Sequence, residues 1–181
     1  MEILELDQSW KGKKIPFHYV SAYLYAVRMT ETPQGWELSW RREALGAPRE
    51  KEFEDVLLED YLEEPRLFGA FDNGELIGIL EVAAENWNNR LRISNLWVKE
   101  TFRRRGIGRQ LMRKAEEVAV AQGRRALVLE TQSCNDPAIC FYRASGFSFI
   151  GCDLLAYSND DIDRQEVRLE MGKTLKGTKD G

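Results

Sequence analysis

Four arginines and two glycines in close succession, Arg103-Arg104-Arg105-Gly106-Ile107-Gly108-Arg109, are the residues of this chain best suited to chemistry. They follow an apolar run, Leu96-Trp97-Val98, and precede a segment whose apolar residues recur at helical spacing. That order describes a strand, a basic turn and the N-terminus of a helix. Gly106 and Gly108 carry no Cβ, so the backbone can turn tightly and aim several N–H groups at one point, where the helix dipole also favours negative charge. Arginines add planar donors suited to phosphate. The stretch predicts an anion cradle, with a solvated basic helix start as the plainer alternative for Arg103, Arg104 and Arg105.

A dinucleotide fingerprint needs a third glycine and a downstream acid, and a P-loop needs Gly-Lys-Ser/Thr; neither is present. The residues instead resemble the Arg/Gln-x-x-Gly-x-Gly/Ala motif of the GNAT superfamily of acetyl-CoA-dependent N-acetyltransferases, with Arg103, Gly106 and Gly108 in its three positions. Downstream, the apolar run Leu127-Val128-Leu129-Glu130-Thr131-Gln132, then Asn135, Ala138, Phe141-Tyr142 and Gly146-Phe147, is similar to the family's second cofactor motif. Within the superfamily, Asn86-Trp87-Asn88, Leu129-Glu130-Thr131-Gln132 and Leu155-Ala156-Tyr157-Ser158-Asn159 look most like streptothricin acetyltransferases. The likeness runs from about Phe53 to Arg168.

That resemblance implies acetyl-CoA as co-substrate and direct transfer to a primary amine in a ternary complex, with no acyl-enzyme and no metal. It implies that Arg103, Arg104, Arg105, Gly106, Ile107, Gly108 and Arg109 hold the pyrophosphate. The pantetheine arm then pairs with the strand edge Leu96, Trp97 and Val98, a backbone N–H near Trp97 and Val98 faces the thioester oxygen, and Asn135, Ala138 and Phe141 border the arm. Tyr142 stands near the sulfur as the acid for the leaving thiolate; a purely packing tyrosine is the alternative. The acceptor is a small cationic molecule, streptothricin by the subfamily likeness, and antibiotic resistance is the corresponding role. A protein or peptide N-acetyltransferase, or a non-catalytic acetyl-CoA-binding regulatory module, are the competing readings.

The base departs from the pattern. Many relatives carry a carboxylate just before the apolar run of the cradle strand, where this chain has Ser94 and Asn95. Glu130 on the next strand is the expected base, with Glu81 and Glu85 on the preceding strand, or an amine that arrives neutral, as alternatives. Trp87 could present a ring face, and Asp160 and Asp161 negative charge, to a cationic acceptor; a packed indole and a solvated turn explain them otherwise.

These groups must be held by ordinary elements. Tyr19 to Val27 and Trp36 to Trp40 read as a hairpin, and Phe53, Val56, Leu57, Tyr61 and Leu62 follow a helical period that predicts an amphipathic helix between Pro48 and Glu64. Asp72-Asn73-Gly74 joins two strands, and a helix from Ile107 stops at Gly123. Asp136-Pro137 opens a second helix that runs to about Ser145, and Phe147 to Tyr157 and Glu166 to Met171 read as the last strands. The expected fold class is α/β (α+β): one GNAT-like domain over residues 1–181, a mixed, mostly antiparallel twisted sheet flanked by helices and splayed at the acetyl-CoA site. Residues 1–14 and 173–181 are expected to be loose ends.

Composition sets the remaining bounds. The 181 residues are 43% hydrophobic and 31% charged, enough for a sizeable core. No apolar run approaches the ~20 residues a membrane span needs, and the first residues lack a signal-peptide pattern, so a cytoplasmic protein is expected. Three cysteines without CxxC spacing and a single histidine argue against disulfides and a metal centre. A net charge of −4 disfavours general nucleic-acid binding. A homodimer is an expectation carried by the family alone.

Overall fold

In the computed structural model, which describes residues 1–175, the chain forms nine strands and two α-helices among those residues. In order they are β1 (Glu2–Leu6), β2 (Lys14–Thr32), β3 (Gly35–Val56), β4 (Glu63–Asp72), β5 (Glu75–Glu85), β6 (Arg90–Val98), α1 (Ile107–Ala121), β7 (Ala126–Gln132), α2 (Asp136–Ala144), β8 (Ser148–Asp153) and β9 (Arg168–Thr174). The architecture is a mixed, mostly antiparallel sheet with flanking helices. The chain divides into two compact units.

The first unit holds Met1–Phe17, Phe53–Leu129 and the described residues from Gly172. Its strand order is β1-β4-β5-β6-β7. Neighbours are antiparallel from β1 to β6, and β6 and β7 pair in parallel from Arg90↔Ala126 to Ile93↔Leu129. Asn73 and Gly74 join β4 to β5 with φ of 49° and 81°, the mirror-image turn that suits the twist of two antiparallel strands. Helix α1 buries Ile107, Leu111, Met112, Ala115, Val118 and Ala119, one stripe at helical spacing, and Gly123 follows its end at φ 64°. It sits close over Gly78 of β5: a Cβ there would lie 3.0 Å from the Leu111 side chain and 3.2 Å from that of Ile107. This packing brings the start of α1 beside the end of β6.

Two expectations fail in this unit. The first residues are not loose, because β1 pairs with β4 and Asp7 accepts the Ser9 N–H at 2.9 Å to cap a short 3₁₀ turn at Gln8–Trp10. The helix between Pro48 and Glu64 is absent: β3 continues to Val56, turns occupy 57–62, and β4 begins at Glu63. The apolar period there is real but does not make a buried stripe. Phe53 stacks on Phe17 with ring centroids 5.0 Å apart, Tyr61 is 75% exposed, and Leu58 takes φ 56°, which no helix tolerates. Leu57 and Leu58 enter a core with Ile15, Leu67 and Ile79. A strand partner thus outweighs local helical spacing.

The second unit holds His18–Glu52 and Glu130–Met171. The expected hairpin is there but longer, with β2 and β3 forming a two-stranded sheet. The end of β7 is followed in strand order by β9 and β8. Tyr25, Val27, Ile139, Val167 and Leu169 form one core cluster; Tyr19, Leu24, Ala26 and Cys134 form another. Strand β8 stops at Asp153, short of the expected Tyr157, because Asp153 accepts the Leu155 N–H at 2.9 Å and the chain turns. His18 bonds the Glu50 carboxylate at 2.8 Å. The described part of the chain end is ordered into the fold: Lys173 pairs with Glu116 at 2.7 Å, while the rest of the expected loose tail, 176–181, lies outside the described residues. Among the described residues no helix is long and apolar enough to cross a membrane.

Arg42 of β3 grips Asp136, the first residue of α2, through Nε at 2.7 Å and a second guanidinium nitrogen at 3.0 Å, and lies over the Tyr23 ring at 3.6 Å. The guanidinium holds the Asp136 carboxyl below its ordinary value of 3.8. A group so lowered contributes stability that is present above the ordinary value and is lost as pH falls through the lowered one. Arg42→Ala is therefore expected to lower Tm at pH 7 by about 5 °C, because it strands a buried carboxylate, with the difference shrinking as pH falls below 3.8. Thermal unfolding across that range checks it; a pH-independent difference would assign the loss to packing on Tyr23.

Candidate active site

The cradle lies wholly in the first unit. A 3₁₀ turn at Glu100–Phe102 ends β6, and Arg103 closes it with its N–H on the Glu100 carbonyl at 3.1 Å. The Arg103 side chain returns to the strand end, donating from Nε to the Val98 carbonyl at 3.3 Å. Arg104 adopts φ 62° and Gly106 φ 84°, so the chain reverses twice within three residues. Arg105 lies over the Phe102 ring at 5.0 Å. The first helical bond of α1 runs from the Gln110 N–H to the Gly106 carbonyl at 3.1 Å. The N–H groups of Ile107, Gly108 and Arg109 therefore precede the helical ladder and lack a helical acceptor. Space around the missing Gly106 side chain is open, with no atom within 4 Å of where a Cβ would stand. Free N–H groups, an open glycine surface and exposed Arg104, Arg105 and Arg109 fit a pyrophosphate.

The strand edge next to the cradle is shaped by a bulge. On β6 the register with β5 steps between Glu81↔Asn95 and Val82↔Ile93, leaving Ser94 as the extra residue. The parallel ladder to β7 ends one residue earlier, at Ile93↔Leu129. Leu96, Trp97 and Val98 pair with Leu80, Ile79 and Gly78 of β5, and among the described residues the β6–β7 ladder does not reach them. That leaves backbone donors and acceptors for an extended ligand.

At this bulge lies a group that sequence reasoning held only as an alternative. Glu81 is fully buried, its Oε1 accepting the Leu58 N–H at 2.6 Å and its Oε2 accepting from Asn95 Nδ2 at 2.9 Å. Burial, followed by the nearby Asp55 and Glu59, pushes the carboxyl above its ordinary 4.5, against those two hydrogen bonds. Its signal in the sequence was a single carboxylate inside the apolar run Leu76-Ile77-Gly78-Ile79-Leu80-Glu81-Val82. Glu85 differs: it is paired with Arg90 and Arg92, each at 2.6 Å, and these guanidinium groups lower its carboxyl despite partial burial. Trp87 sits in a 3₁₀ turn, 81% exposed, with Arg90 5.8 Å from its ring.

The remaining candidates belong to the second unit. Asn135 is the cap of α2, its Oδ1 accepting the Ala138 N–H at 3.2 Å, which leaves its amide nitrogen available. Helical spacing places Ala138, Phe141 and Tyr142 on neighbouring positions of α2. Tyr142 packs edge-on against Phe141 and tilts against Phe147, and burial pushes its hydroxyl up to about 12. Glu130 is exposed on β7 and ion-paired with Arg168. Asp161 is buried, accepting the Tyr157 N–H at 3.0 Å and the Ser158 hydroxyl at 2.7 Å, so its carboxylate holds its own loop; Asp160 is exposed.

Comparison with known proteins agrees with this geometry. Residues 30–147 match the profile of the acetyltransferase (GNAT) family. The chain is 31% identical over 140 residues to a streptothricin acetyltransferase of Escherichia coli, covering 77% of this chain and 76% of that protein. A streptothricin acetyltransferase of Streptomyces lavendulae is 42% identical over 85 residues, covering 47% of this chain and 45% of that protein. The crystal structure of nourseothricin acetyltransferase superposes with a TM-score of 0.70 at 27% identity, covering 96% of this chain and 97% of that one. By the family profile over residues 30–147 and the likeness to the Escherichia coli protein over about three quarters of both chains, this chain belongs to the GNAT family of acetyltransferases.

Proposed function

We propose that the enzyme moves the acetyl group of acetyl-CoA to a primary amine of streptothricin, by direct transfer in a ternary complex. The observation that carries this reading is the likeness to the streptothricin acetyltransferase of Escherichia coli over about three quarters of both chains. The first N–H groups of α1, with Arg103, Arg104, Arg105 and Arg109, hold the pyrophosphate. The free edge of Leu96, Trp97 and Val98 pairs with the pantetheine arm and donates to the thioester oxygen. Asn135, Ala138 and Phe141 border that arm, and Tyr142 protonates the leaving sulfur.

Glu130, exposed and ion-paired with Arg168, and Asp160 in the same unit add acidic charge that attracts a cationic acceptor. Trp87 in the first unit offers it an exposed ring. The same reading has the protein act in the cytoplasm as a homodimer, with neither nucleic acid nor a membrane among its partners. Free-thiol release from acetyl-CoA, compared across streptothricin, polyamines, aminoglycosides, amino acids and N-terminal peptides, is the test. Release with streptothricin is expected; release with a different acceptor alone would remove the antibiotic and keep the reaction.

A further inference from the structure

We propose that Glu81 is the group that receives the proton of the incoming ammonium, from its place beside the Ser94 bulge and across the β5–β6 ladder from Asn95. This rests on the acetyl-transfer reading above. Three carboxyl side chains among the described residues are buried: Glu81, Asp136 and Asp161. Asp136 is neutralised by Arg42, and Asp161 is held by hydrogen bonds of its own loop that keep it below its ordinary value. Among the described residues neither Asp161 nor Glu81 has a cation at ion-pair distance, but Glu81 alone of the three is raised above its ordinary value, and the titratable groups around it, Asp55, Glu59 and Tyr61, are acidic. A buried carboxyl without a counter-charge is costly to keep and is a poor structural choice.

Its position gives that cost a use. Asn95 is its direct cross-strand partner and donates to it, and Asn95 immediately precedes Leu96, where the free edge of β6 begins. The carboxyl is thereby fixed at the level of the edge that faces the thioester in the proposed complex. Ser94, the bulged residue, adds a buried hydroxyl with no hydrogen-bond partner among the described residues, a polar surface at the same level. Each Glu81 oxygen accepts one hydrogen bond and retains a free lone pair. A carboxyl raised above its ordinary value is also better matched to removing a proton near neutral pH.

The step balances as follows. The ammonium loses one proton, through one water, to Glu81, and the freed nitrogen lone pair forms the C–N bond at the acetyl carbonyl. The C–S bond then breaks, its electron pair leaving with sulfur, which takes a proton from Tyr142. The nitrogen's second proton restores the Tyr142 hydroxyl, and Glu81 returns its proton to solvent. The products are the acetamide, the free thiol and one proton.

The test uses the acceptor on which the wild-type protein releases most thiol, so loss of streptothricin as acceptor and loss of Glu81 as proton acceptor are separate results. Glu81→Gln is expected to lower kcat/KM by about 10²-fold at pH 7 and to abolish the acidic limb of its pH profile, with acetyl-CoA affinity unchanged. The deficit should shrink toward pH 10, where the amine arrives neutral. Adding Asn95→Asp to Glu81→Gln returns a carboxylate to the same cross-strand pair and should recover at least about tenfold. Stability supplies a readout apart from turnover. Because the folded-state value is raised, wild-type stability is fully present below 4.5 and falls as pH rises through the raised value, so Glu81→Gln should gain Tm over wild type across that interval. The gain should have its midpoint at the acidic limb of wild-type kcat/KM. An unchanged kcat/KM, an acidic limb that persists in Glu81→Gln, or a folded double variant with no recovery would each overturn the proposal.

Discussion

Tyr142→Phe is expected to reduce kcat by about 10²-fold while acetyl-CoA binds as before, because the change deletes one hydroxyl and keeps the ring. The ring contacts with Phe141 and Phe147 do not depend on that oxygen, so the fold should be retained. Burial raises the hydroxyl up to about 12, which keeps it protonated through the whole working range. The acid form is the active one, and it is lost only as pH rises through that value. The wild-type profile should accordingly show no alkaline limb from Tyr142 below about pH 11. Steady-state kinetics with a fixed acceptor, beside calorimetric titration of acetyl-CoA, check both parts. A variant with wild-type kcat would take Tyr142 out of the reaction and leave it as packing.

Placing an aspartate at Gly106 should raise the Kd for acetyl-CoA by about 10²-fold or more. Gly106 stands at the start of α1 at φ 84°, in open space, and aspartate tolerates the left-handed region better than most residues. The cost to folding is therefore small, about 1 kcal/mol. The cost to binding is not, since a carboxylate beside the N–H groups of Ile107, Gly108 and Arg109 repels a pyrophosphate and competes for those donors. Gly106→Ala supplies the control, with similar backbone strain and no charge, and should weaken binding far less. Equal losses in the two variants would assign the effect to the backbone and remove the electrostatic account of the cradle.

The cradle was legible in the sequence because it is local. Arg103, Gly106 and Gly108 fall within six consecutive positions, and the conformations they need follow from the absence of a Cβ and from the geometry of a helix start. The same holds for α1, whose stripe from Ile107 to Ala119 needs only its own period, and for the Asn73–Gly74 turn. Between Pro48 and Glu64 local reasoning misled. Phe53, Val56, Leu57, Tyr61 and Leu62 satisfy a helical template, but strand β2, 20 or more residues earlier, supplies a ladder and Phe17 supplies a ring. Periodicity alone does not contain the partner.

The sequence by itself determined the strand, basic turn and helix start around Arg103 to Gly108, and the family to which the chain belongs, since each rests on residue types at short spacing. Tertiary structure decided the environment of each titratable group. Glu81 and Glu85 on β5 and Glu130 on β7 are the same side chain, yet one is buried without a cation, one is clamped by Arg90 and Arg92, and one is paired with Arg168. Asn95 reads in the sequence as a lost carboxylate and in the fold as the donor that holds one. Arg42 reaches Asp136 across 94 positions of chain. Proton affinity depends on burial and on charges brought together by folding, and neither is a property of local spacing.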